Sequence, residues 1–141
     1  GLFFFGGFMK GILLLIVFSS LNAFASKSSF CVTYLNVKLS LSSPHSNICD
    51  DKKIAGQYDL KVCEDNRGKL TTEAGRDYSI FKENNLWKFH EDHYDFSNLT
   101  SESEIMVMNL DNRSFNYFSE KKKKDGTVLS KANCDGIIEI Q

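Results

Sequence analysis

The chain has 141 residues, with 17 basic and 18 acidic side chains and a formal net charge of −1. That balance argues against a general nucleic-acid binder, whose phosphate contacts need an excess of Lys and Arg. The length suits one domain, and a domain of this size buries about two-thirds of its unfolded surface.

Residues 1–8 (GLFFFGGF) precede Met9-Lys10 and are expected to lie upstream of the natural start. Residues 11–18 (GILLLIVF) are apolar but shorter than the roughly 20 residues that span a bilayer. Ala23-Phe24-Ala25 has the A-x-A form that signal peptidase needs. The expectation is a secretory signal peptide over residues 1–25, cleaved after Ala25, with no membrane span in the mature chain. All four cysteines, Cys31, Cys49, Cys63 and Cys134, follow that point. An even count in an exported chain predicts two disulfides. No two of them form a C-x-x-C knuckle, which argues against a structural zinc site.

Residues 30–41 (FCVTYLNVKLSL) read as a strand with Cys31, Thr33, Leu35, Val37, Leu39 and Leu41 on one mostly apolar face. Residues 42–47 (SSPHSN) read as a loop. Residues 54–63 (IAGQYDLKVC) form a second strand, with Tyr58, Leu60 and Val62 on one side, and residues 65–68 (DNRG) a turn. Residues 78–82 and 86–90 flank Glu83-Asn84-Asn85, a tight hairpin. Residues 95–104 (DFSNLTSESE) are open to a helical turn. Residues 104–110 and 114–119 flank Asp111-Asn112-Arg113, another hairpin. Lys121, Lys122, Lys123 and Lys124 lead into the Asp125-Gly126 turn, and residues 127–134 and 136–140 finish the chain.

Turns at intervals of roughly 8–12 residues mark an antiparallel meander, an all-β barrel or sandwich. The reading divides the mature chain into residues 26–53, an N-terminal strand and loop, and residues 54–141, the β body. If the body closes, its first and last strands become neighbours, because closure removes exposed edges. With residues 54–63 first and 132–140 last, Cys63 would then bond Cys134, leaving Cys31 for Cys49.

Gly56-Gln57-Tyr58 resembles the G-x-W with which lipocalin and calycin barrels open, where the aromatic ring plugs one end. The resemblance covers residues 56–141 as a motif and a strand rhythm, with Tyr for Trp and a shorter chain. It implies a small secreted β-barrel and says little about a ligand; Gly56 and Tyr58, with Trp87 from the core face of residues 86–90, are the candidate ligand or barrel-end residues.

The stretch KFHEDHYD over residues 88–95 holds His90 and His93. Imidazoles beside carboxylates suit zinc or copper, and the thioethers of Met106 and Met108 would add copper ligands. Against this, a straight strand sends residues three apart to opposite faces, and methionines two apart are ordinary core packing. Asp92 with Asp95, or Glu91 with Asp95, would suit a hydrolase as a carboxylate pair, although acidic residues on exposed strands are ordinary. The lysine run would suit an anionic surface such as a polysaccharide or lipid headgroup, or simply a solvated hairpin tip. No G-x-S-x-G elbow and no glycine-rich phosphate loop occurs. The sequons at Asn98 and Asn112 are expected to stay unmodified behind a bacterial-type leader.

The functional expectation is a secreted or periplasmic monomer without catalysis or cofactor. It would bind a small ligand or a protein partner, as a secreted inhibitor would. The alternative is a periplasmic zinc- or copper-binding protein using His90 and His93.

Overall fold

A computed structural model describes residues 30–141, so the expected signal peptide lies outside the described residues. The chain runs β1 (Cys31–Leu41), α1 (Asn47–Asp51), β2 (Gly56–Cys63), β3 (Arg67–Thr72), β4 (Asp77–Glu83), β5 (Leu86–Asp95), β6 (Thr100–Asn109), β7 (Ser114–Lys123) and β8 (Val128–Glu139). Each strand pairs antiparallel with the next, and β1 also pairs with β8 from Lys38↔Glu139 to Leu41↔Gly136. The sheet is therefore a closed eight-stranded barrel rather than a sandwich.

The expected hairpins form where the sequence places turn residues. Asn84 and Asn85 turn β4 into β5 with φ of 51° and 64°, the left-handed pair that suits the strand twist. Strand β3 escapes the sequence pattern, because Leu70 is its one fully buried apolar side chain. The two segments expected at the C-terminus are one strand, β8. Its Gly136 lies flat beneath the Phe115 ring, where an added Cβ would come within 2.4 Å of that ring and 2.2 Å of the Ser40 carbonyl.

The expected face of β1 needs correcting. The register shifts between Tyr34 and Val37, where Asn36 sits at φ 58°. This bulge inserts an extra residue and swaps the pleat. Val37 and Leu39 are buried, Tyr34 packs on the core, and Leu35 is left exposed.

The disulfide pairing also differs from expectation. Cys31 bonds Cys63, and Cys49 bonds Cys134. The expectation made residues 54–63 the first barrel strand, but β1 intervenes between β2 and β8. Cys63 therefore lies opposite Cys31 in the β1–β2 register. Cys134 points inward and takes Cys49 from α1, a helix formed where a loop is expected. Residues 31–41 are thus part of the barrel wall.

Alternation on each strand fills the interior. Leu39, Leu60, Leu70, Met108 and Ile138 are fully buried, with Trp87, Phe89, Met106, Phe115 and Tyr117 around them. Cys49 and Ile54 are buried as well, and the Tyr58 hydroxyl donates to the Ile54 carbonyl at 2.6 Å. The segment from α1 to Ile54 therefore closes the barrel end that carries the β5–β6 and β7–β8 turns. No helix among the described residues is long and apolar enough to cross a membrane.

Candidate functional site at the barrel end under α1

On β5 the inward row starts apolar, with Trp87 and Phe89, and ends polar, with Glu91 and His93. On β6 the row from Met108 and Met106 ends in Glu104 and Glu102. Register places Glu91 directly opposite Glu104 and His93 opposite Glu102. The polar ends of these rows meet beside α1.

His93 Nε2 lies 2.8 Å from Glu104 Oε2 and 3.4 Å from Glu91 Oε2. The Tyr117 hydroxyl on β7 donates to Glu104 Oε1 at 2.5 Å. Arg76 Nη2 donates to Glu91 Oε2 at 2.9 Å, and its guanidinium lies 4.6 Å above the Tyr78 ring centre. The Lys52 ammonium, just past α1, bonds Glu102.

These contacts set the charge states. Burial pushes the Glu104 carboxyl up, but the Tyr117 hydroxyl, His93 and Lys52 outweigh it and leave it below the usual carboxylate range. Burial, followed by the hydrogen bond to Glu104, pushes Tyr117 well above the ordinary phenol. Burial also raises Tyr58 to about 12, so both phenols stay protonated donors.

The two histidines of the KFHEDHYD stretch do not converge. His90 shares the outward parity of Asp92, and its Nε2 meets Asp92 Oδ1 at 3.1 Å and Ser103 Oγ at 3.0 Å. His93 shares the inward parity of Phe89. Met106 and Met108 are buried core residues at 2% and 1% exposure, as ordinary packing predicts. Asp95, the shared member of the candidate carboxylate pairs, is engaged elsewhere. Asp95 accepts from the amides of Ser97 and Asn98 and from both their side chains, closing the β5–β6 turn. Those bonds, led by the Ser97 hydroxyl, lower it to about 2. Asp92 is held on the outer face, below the usual range, first by Ser103 and then by His90.

The lipocalin-like trio is also split. Gly56 and Tyr58 stand near α1, whereas Trp87 adjoins the β4–β5 turn at the far end, opposite Lys82. Gly56 has φ +152°, a backbone that side-chain-bearing residues rarely adopt, so its need is conformational.

Comparison with protein-family models, curated proteins and solved structures finds no match for this chain. The side chains themselves therefore carry the functional reading.

Beneath α1 the interior keeps a void of about 40 Å³, bordered by Ile54, Leu70, Phe89 and Glu104. Outside, a groove of about 380 Å³ runs over β5, β6 and β7 past Tyr94, Ser101, Phe118 and Lys122. The nearby β5–β6 turn exposes Phe96 at 80% and Leu99 at 50%, and the start of β8 exposes Val128 at 43%. The β5–β6 and β7–β8 turns touch, since the Lys124 amide donates to the Leu99 carbonyl at 3.0 Å. Of the lysine run, Lys122 pairs with Glu120. Sequence reading missed this apolar patch because Phe96 and Leu99 lie in the stretch without strand periodicity.

Proposed function

We propose that this protein is an exported, non-catalytic binding domain that works through its outer surface on a protein partner. The observation behind this reading is the barrel interior, which among the described residues is packed with Leu39, Leu60, Leu70, Met108 and Ile138. A void of about 40 Å³ holds a water or so, whereas sites for small organic ligands run from roughly 300 Å³ upward. Two disulfides fit an oxidising compartment, periplasmic or extracellular. The adjoining β5–β6 and β7–β8 turns, with the strand ends they join, offer Phe96, Leu99 and Val128 beside Lys123 and Lys124. Such a surface suits a partner with an apolar patch rimmed by acidic groups.

Native mass spectrometry of protein purified from its own host is expected to show the oxidised polypeptide without an organic ligand. Immobilised protein should retain a partner from envelope extract, and Phe96→Ser with Leu99→Ser should lose it, as should Lys123→Glu with Lys124→Glu. A stoichiometric small apolar molecule, or capture indifferent to both pairs of substitutions, would overturn the reading.

A further inference from the structure

The geometry points to Glu91, His93 and Glu104 as a zinc-binding site at the barrel end, independent of the partner surface. One donor atom from each of the three lies within 4.8 Å of the other two. The scaffold is stiff: Glu91 and His93 are neighbours on the inward face of β5, and Glu104 is the cross-strand partner of Glu91 on β6.

Charge supports a cation there. Like charges directly opposite on adjacent strands are ordinarily destabilising. Glu91, Glu102 and Glu104 bring three carboxylates to this end, and Lys52 and Arg76 are paired with only two of them. Glu104 is left with His93 as its ion-pair partner among the described residues. No lysine or arginine is paired with Glu104 among the described residues, and a divalent ion would offset its charge.

The donor chemistry selects the ion. One imidazole nitrogen and two carboxylate oxygens suit zinc, which takes both at about 2.0–2.2 Å in a tetrahedral shell. Such a shell separates its ligands by about 3.3–3.6 Å. His93 Nε2 and Glu91 Oε2 already stand 3.4 Å apart, while Glu104 Oε2, at 2.8 Å, must move outward by about half an ångström. The Tyr117 hydroxyl holds the other oxygen, Oε1, and so aims Oε2 at the site. Arg76 occupies Glu91 Oε2, so zinc would either displace it or take Glu91 Oε1. Side-chain exposures of 29%, 44% and 18% leave the site reachable, with a fourth position for water. His90 takes no part, because it lies on the other face of the sheet.

Calorimetric titration of the purified protein with zinc chloride near neutral pH tests this. One zinc per chain is expected, with His93→Gln and Glu104→Gln each weakening it at least about tenfold and His90→Gln leaving it unchanged. A nitrogen-15 NMR titration of the unsubstituted protein gives the same answer without variants. Zinc should move the His93 ring signals and leave those of His90 and His45 in place. Absence of saturable binding, affinity unchanged in His93→Gln, or a response centred on His90 would overturn the assignment.

Discussion

Glu104 shows how one residue joins packing to charge. It is mostly buried, yet Tyr117 and His93 keep it ionised at a lower pH than a free glutamate. A carboxyl whose folded-state pKa is depressed adds stability above its unfolded value, near 4.5, and loses it as pH falls through the folded value. Glu104→Gln is therefore expected to cost about 1–2 kcal/mol near neutral pH, through the weakened charge-assisted bonds. Urea unfolding at successive pH values should show that gap closing below pH 4.5; a gap constant down to strong acid would refute the role. Gly136 makes the complementary case, since the Phe115 ring and the Ser40 carbonyl occupy the space where a Cβ would go. Gly136→Ala should lower stability by about 1–3 kcal/mol, read from the midpoint of thermal unfolding.

At the scale of elements, the plug and its tether carry most of what is particular here. Helix α1 has only five residues and no side-chain cap, so it would not persist alone. The Cys49–Cys134 bond, between residues 85 apart in sequence, fixes it to the inward face of β8. Replacing both cysteines by serine should cost roughly 2–4 kcal/mol, by freeing a long loop in the unfolded chain. It should also expose Ile54 and the void beneath it, raising binding of a hydrophobic dye. Stability unchanged on equilibrium unfolding would show that the plug docks without its tether. The polar extensions of β5, β6 and β7 behave differently. They hold one another through the β5–β6 ladder from Trp87↔Met108 to Asp95↔Thr100 and the β6–β7 ladder from Thr100↔Lys123 to Asn109↔Ser114, although their outer ends bury little apolar surface.

For the barrel as a whole, closure is complete but uneven. The β6–β7 ladder runs the length of both strands, whereas β4 meets β5 only from Phe81↔Lys88 to Glu83↔Leu86. The barrel should open first along this short seam, because fewer hydrogen bonds must break there together. Native-state hydrogen exchange is expected to release the amides around the β4–β5 seam well before those of β6 and β7. Equal protection along both seams would contradict this.

Local pattern determined much of the protein by itself. Alternating side chains and asparagine- or glycine-bearing turns specified antiparallel strands, because a period of two admits no other regular element. An even cysteine count specified two disulfides. Tertiary structure alone decided which cysteines meet, since pairing depends on β1 entering the wall between β2 and β8. It also decided that Glu104 meets His93 and Glu91, whereas the opposite facing of His90 and His93 follows from the strand period alone. Separation along the chain says which face a side chain takes, but not which residue a neighbouring strand will set beside it. That depends on register, and register is fixed only when the whole sheet closes around a filled core.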